Sequence, residues 1–197
     1  MLASEPVSKL KSENLGELRE RIGLSAAAAA VAGTGSETEM LERLAASGFL
    51  TEATRLIAYA LPRREAVWWA CMCARHTAPP GMPELEQRAV DAAEHWVRAQ
   101  TDEARRAAFA KAQEAGFDSP GSWAAVAAFW SGGSMAPAGQ PVVPPAGHLT
   151  GAAVAGSVAL AAVRLHPERQ ATRLGRFLDS GRDIAGGGTG RLPPEES

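Results

Sequence analysis

Residues 63–76 read RREAVWWACMCARH, and this stretch decides the fold class. Wound as a helix at about 100° per residue, it lines up Val67, Cys71 and Ala74 on one stripe. Trp68, Met72 and Arg75 fall on a neighbouring stripe, so apolar residues cover more than half the circumference. A helix apolar nearly all round sits at the centre of a bundle or against a partner. The adjacent indoles of Trp68 and Trp69 point about 100° apart and cannot face one core direction equally. Either both are buried between helices on two sides, or one is open to solvent. An open indole beside an arginine is a frequent binding hot spot, which makes Arg64 and Trp69 candidate partner-binding residues.

Upstream of this stretch the chain is punctuated as helices. Leu15, Leu18 and Ile22 predict a short amphipathic helix over about 13–22, closed by Gly23. Residues 25–32 are helix-prone by alanine content. Ser36 and Glu39 fit a capping box opening a helix that carries Met40, Leu41 and Leu44 and stops at Gly48. The next helix puts Ala53, Leu56, Ile57 and Ala60 on one face, and Pro62 ends it or starts the one after. Three such helices joined by links of two or three residues predict antiparallel neighbours.

Downstream, residues 77–83 (TAPPGMP) are a break. Leu85, Ala89, Ala92, Ala93 and Trp96 then resume helical spacing. Thr101 is an N-cap for a helix to about Ala115, and Ser119-Pro120 opens another carrying Trp123, Val126 and Trp130. Residues 134–145 (SMAPAGQPVVPP) predict an extended crossover packed over the core. An ordered run of this length without secondary structure leans functional or buttressing. That makes Trp130 and Ser134 the second pair of candidate partner-binding residues. Residues 149–165 predict a buried apolar helix, and residues 167–183 a charged amphipathic one.

The whole chain agrees with an all-α reading. Of 197 residues 46% are apolar, but 41 are alanine and only 14 are valine or isoleucine, which disfavours a β sandwich or barrel. The balance of 20 Lys+Arg against 22 Asp+Glu gives a net charge of -2 and argues against a nucleic-acid partner. Two cysteines exclude a disulfide scaffold, and with no secretory signal pattern at the start a cytoplasmic location is expected. Residues 185–197, rich in Gly, Pro and charge, predict a disordered tail. The expected layout is an N-terminal helical or flexible segment over 1–35, a helical bundle domain over 36–184, and that tail.

Polar constellations are sparse. Cys71, Cys73 and His76 share one helix, but Cys71 points to a different face and no second cysteine pair exists, so no metal is expected. Ser131-Gly-Gly-Ser134 followed by His148 offers a hydroxyl and an imidazole, the alternative being a serine-dependent hydrolase. No strand–turn–helix context marks a nucleophile elbow, and a helix C-terminus explains the glycines. Residues 186–190 (GGGTG) lack the Lys-Ser/Thr and the strand of a phosphate loop, and no cofactor is expected. Residues 149–165 are short and weakly apolar for a membrane span, so stable insertion is not expected, although a membrane-active effector is a third alternative.

The helical hairpins over 36–76 resemble HEAT-type or tetratricopeptide pairs, yet no fixed period links them to 83–131. The set Leu61-Pro62-x-Arg64-Glu65-Ala66-Val67-Trp68-Trp69-Ala70-Cys71, then Ala128-Phe129-Trp130-Ser131-Gly132-Gly133-Ser134, then Pro144-Pro145, resembles an uncharacterised family of small helical bacterial proteins. The resemblance covers about residues 40–165. It implies an association with type VI secretion genes and carries no residue-level activity. The expectation is therefore an all-α, single-domain bundle of about seven to nine short antiparallel helices with a Pro-rich crossover. Its expected role is that of a non-enzymatic adaptor, scaffold or chaperone-like accessory protein binding another protein.

Overall fold

The computed structural model describes residues 8–12 and 14–196. Ten α-helices and one 3-10 turn make up the fold, and no strand occurs among the described residues. In chain order they are α1 (Leu15–Arg21), α2 (Ala26–Ala32), α3 (Glu37–Ala46), α4 (Leu50–Ala60) and α5 (Arg63–His76). There follow α6 (Glu84–Ala99), α7 (Asp102–Glu114), α8 (Pro120–Phe129), α9 (Leu149–Val163), the 3-10 turn Pro167–Arg169, and α10 (Gln170–Ala185). The all-α bundle is as expected. The helices outnumber the expected seven to nine because the two N-terminal segments each close as a separate two-turn helix.

Local chemistry sets most helix starts. Ser36 and Glu39 form the expected reciprocal capping box, and Thr101 accepts from the Ala104 N–H. Ser119 caps α8 with Ser122 as its reciprocal partner and Pro120 in the first turn. Each cap satisfies backbone donors that a helix start leaves open.

Consecutive helices do not all pack on each other. α4 and α5, joined by Leu61-Pro62, share few contacts, and both instead pack on α9. α9 also packs against α8 and α10, so α5 and α9 form the middle of the bundle. α9 suits that place because glycine, alanine and valine occupy all its sides, with no polar face to solvate. Its small side chains let neighbours come close. A Cβ at Gly151 would stand 2.4 Å from the ring of Tyr59, so that aromatic rests on bare backbone. Gly121 in α8 does the same for α6, where a Cβ would meet Glu86 at 2.8 Å and Val90 at 2.9 Å. Ser157 in α9 donates to the Pro120 carbonyl at 2.8 Å, tying the two helices together inside the core.

Two irregular segments are pinned to this bundle. The crossover between α8 and α9 folds on itself through Met135 N–H donating to Val143 O at 2.8 Å. The segment after α10 runs back along it. Gly190 N–H donates to Asp183 Oδ2 at 2.8 Å, and Glu195 N–H donates to His76 O at 2.7 Å. Residues 186–196 are thus an ordered strap, not the disordered tail that their composition predicts.

Candidate functional site

The site is built on the outward edge of α5. Residues four apart share one helix face, so Arg64 and Trp68 lie side by side. Trp68 is partly exposed, and its Nε1 donates to Thr189 O of the strap at 2.7 Å. Arg64 is exposed and its Nε donates to Val97 O, at the end of α6, at 2.9 Å. Beside them opens a cleft of about 350 Å³ lined by Lys9, Arg64, Glu65, Trp68, Val97, Arg98, Ile184, Gly188 and Arg191. Four of these side chains are cationic and one is a carboxylate. Lys9 Nζ stands 3.4 Å from Glu65 Oε1, and Arg98 reaches Glu94 only at 3.9 Å. The walls of Val97 and Ile184 are apolar and buried.

The structure separates the two tryptophans. Trp69 is fully buried, and its Nε1 donates to the Phe177 carbonyl at 2.9 Å. As a candidate partner-binding residue it is corrected: it has no surface to offer, because the turn of the helix that brings Trp68 outward turns Trp69 onto α10. Arg64 keeps its exposed position. Trp130 is partly exposed, 6.3 Å from Trp123 edge to face, and its carbonyl accepts from Thr150 Oγ1 at 2.9 Å. Ser134 is partly buried. Its Oγ accepts from the Ala136 N–H at 3.1 Å and the Val143 N–H at 3.0 Å, which closes the crossover loop.

Two buried arginines hold the irregular segments. Arg105 donates through Nη1 to Phe129 O at 2.7 Å and through Nη2 to Ser134 O at 2.8 Å, with Asp102 as its counterion at 2.7 Å. Hydrogen bonds from Arg106 and then Arg105 hold the Asp102 carboxyl below its ordinary range. Arg173 donates to Arg164 O at 2.6 Å and pairs with Glu195 Oε2 at 2.6 Å. That pairing holds the Glu195 carboxyl below its ordinary range. A third internal pair, Arg164 with Glu86 at 2.9 and 2.6 Å, ties the end of α9 to α6.

Ser131 Oγ donates to Ala128 O at 2.7 Å, and among the described residues no hydrogen bond joins Ser131 or Ser134 to His148. His148 lines a different cleft, of about 410 Å³, with Lys11, Tyr59 and Arg63. Cys71 and Cys73 are buried free thiols, both pushed up in pKa by desolvation, which leaves them protonated at neutral pH. No group of three His, Cys, Asp or Glu side chains fit to hold a metal occurs among the described residues. No single described helix is long and apolar enough to cross a membrane, and α9 turns through 114° into the segment that follows it.

Residues 40–185 match a family described as a family of unknown function (DUF6931). The chain belongs to this family. No curated protein and no solved structure matches the chain. The DUF6931 span runs from Met40 in α3 to Ala185 at the end of α10. It includes Arg64, Trp68 and Arg173 and leaves out α1, α2 and the whole strap. Lys9 and Arg191, which complete the cleft, therefore come from outside it.

Sequence reading missed Lys9, Arg98 and Arg191. They come from three distant places, and no local pattern groups them. The pairing of Trp68 with Arg64 was available from the spacing of four, while the choice between Trp68 and Trp69 required knowing where α10 packs.

Proposed function

We propose that this protein is a non-enzymatic protein-interaction module, an adaptor or chaperone-like accessory protein, that holds a partner protein at the outward edge of α5. The observation that carries this reading is the exposed Arg64 beside the partly exposed Trp68 at the mouth of a cleft. Tryptophan and arginine are enriched among the few residues that dominate binding at protein interfaces, and here the indole is already held by its bond to Thr189. A second contact surface is the crossover, held rigid by Arg105 and Ser134, where Val142 is 75% exposed and Val143 48% exposed. Rigid apolar groups in water are what a partner covers at least entropic cost. The resemblance carried by the residue 61–71, 128–134 and 144–145 motifs supports a partner among components of a type VI-like bacterial secretion system.

The test is photo-crosslinking in the native cell from a crosslinkable amino acid at position 64, compared with one at exposed Arg88 on α6. One discrete adduct from position 64 alone supports the reading. No adduct, or the same set from both positions, overturns it. Gene neighbourhoods lacking secretion components would remove the secretion assignment and leave the binding role.

A further inference from the structure

We propose that the cleft beside α5 takes an acidic segment of the partner, an extended run with carboxylates flanking one apolar side chain. This rests on the reading that the outward edge of α5 holds a partner, and it names what that partner must present. Lys9, Arg64, Arg98 and Arg191 converge on the cleft against the single carboxylate of Glu65, in a chain whose net charge is -2. Local charge thus opposes the charge of the whole, and a cleft with low-dielectric walls concentrates such a field. The walls specify more than an anion. Val97, Ile184 and the indole of Trp68 are apolar, and the indole N–H is already taken by Thr189 O. The carbonyl of Val97 is taken by Arg64 Nε. What remains open to a ligand is apolar surface, guanidinium donors and the loose Lys9–Glu65 pair. No hydrogen bond of Arg191's side chain and none of the terminal Arg64 nitrogens occurs among the described residues.

The strap shows an apolar side chain and a carboxylate taken up together on the neighbouring surface. Leu192 packs against the core, while Glu195 sits on Arg173 and the Glu196 carbonyl accepts from Arg169. Arg191 lines both the cleft beside α5 and a second one formed between α10 and the strap, so the two adjoin at the strap. A volume of about 350 Å³ matches a few side chains, not a folded domain.

The test uses the full chain and a fluorescein-labelled peptide, Glu-Glu-Leu-Glu-Glu, with its glutamine counterpart, read by fluorescence anisotropy. The acidic peptide should bind, weaken as salt rises, and exceed its glutamine counterpart by about tenfold or more, the equivalent of one or two charge contacts. Arg64→Gln with Arg191→Gln should lose that advantage. Arg64→Lys with Arg191→Lys should keep much of it, and Arg88→Gln on exposed α6 should change nothing. Thermal melts of each variant separate lost binding from lost folding. Equal binding of both peptides overturns the proposal, as does an unchanged double glutamine variant that folds normally. Tighter capture of a single-stranded oligonucleotide of equal charge at the same arginines overturns it too. An adduct from position 64 without acidic-peptide binding would sink the acidic chemistry and leave the interaction role standing, which keeps the two failures distinct.

Discussion

The crossover and the strap use the same materials and differ in how each is anchored. Both are rich in glycine and proline, both lack regular structure, and each is held by one buried arginine, Arg105 donating to the Phe129 and Ser134 carbonyls at the start of the crossover and Arg173 to the Glu195 carboxylate of the strap. Arg105 has its counterion one turn away on its own helix, and Asp102 is 58% exposed. Arg173 is 2% exposed and takes its counterion from the strap itself, where Glu195 is 13% exposed. The crossover can loosen while Arg105 stays neutralised. The strap cannot leave without stranding a buried charge. Whether an irregular segment is ordered thus depends on what the helices beneath it need, and composition alone does not report that need.

Several changes would break or sharpen this contrast. Ending the chain at Ala185 should have the largest effect, lowering stability by about 3–5 kcal/mol, because Arg173 keeps its charge without a partner. Denaturant unfolding measures it, and a loss under 1 kcal/mol would show that the strap merely rests on α10. Glu195→Gln isolates the charge and should cost about 2–3 kcal/mol at neutral pH. The same pair sets an acid dependence. The Glu195 carboxyl is held below its ordinary value near 4.5, so its contribution is complete above that value. It falls away as pH drops through the lower folded value, and the wild-type and Glu195→Gln curves should converge there. Curves that stay parallel into acid would assign the loss to shape, not charge.

Arg105→Met should cost about 1–3 kcal/mol, since the Phe129 and Ser134 carbonyls lose a donor while the methionine fills the space. Hydrogen exchange should speed up at the Ala136 and Val143 amides and stay unchanged at Glu195. Protection lost in both segments together would mean that they are coupled. Asp102→Asn should have the smallest effect, about 1 kcal/mol, because the amide oxygen still accepts from buried Arg105 and the position, 58% exposed, lets water supply the lost charge.

The helices were legible because their determinants are local. The Ser36–Glu39 box and the Thr101 cap are complete within one turn of chain, and Pro120 excludes any other start for α8. The central place of residues 63–76 followed from an apolar surface on too many sides to be solvated. The crossover was expected to lie extended over the core, but residues 137–144 are exposed. The bonds of Ser134 to the Ala136 and Val143 amides close it as a loop on itself, because these amides find their acceptor within the loop and not on the helices. The strap was misread because Gly186–Gly190 and Pro193-Pro194 carry no apolar period. Its order comes from His76, Ser180 and Arg173, which lie far back in the chain.

Sequence alone determined that this chain is a stack of alanine-rich helices, because backbone bonds within a helix and caps at its start reach only three or four residues. Tertiary structure alone decided which indole of the adjacent pair faces water, which cations share a cleft, and that residues 186–196 are held. Each of those outcomes depends on removing a charge or an aromatic ring from water. Helices far apart in the chain have to meet before that removal can occur.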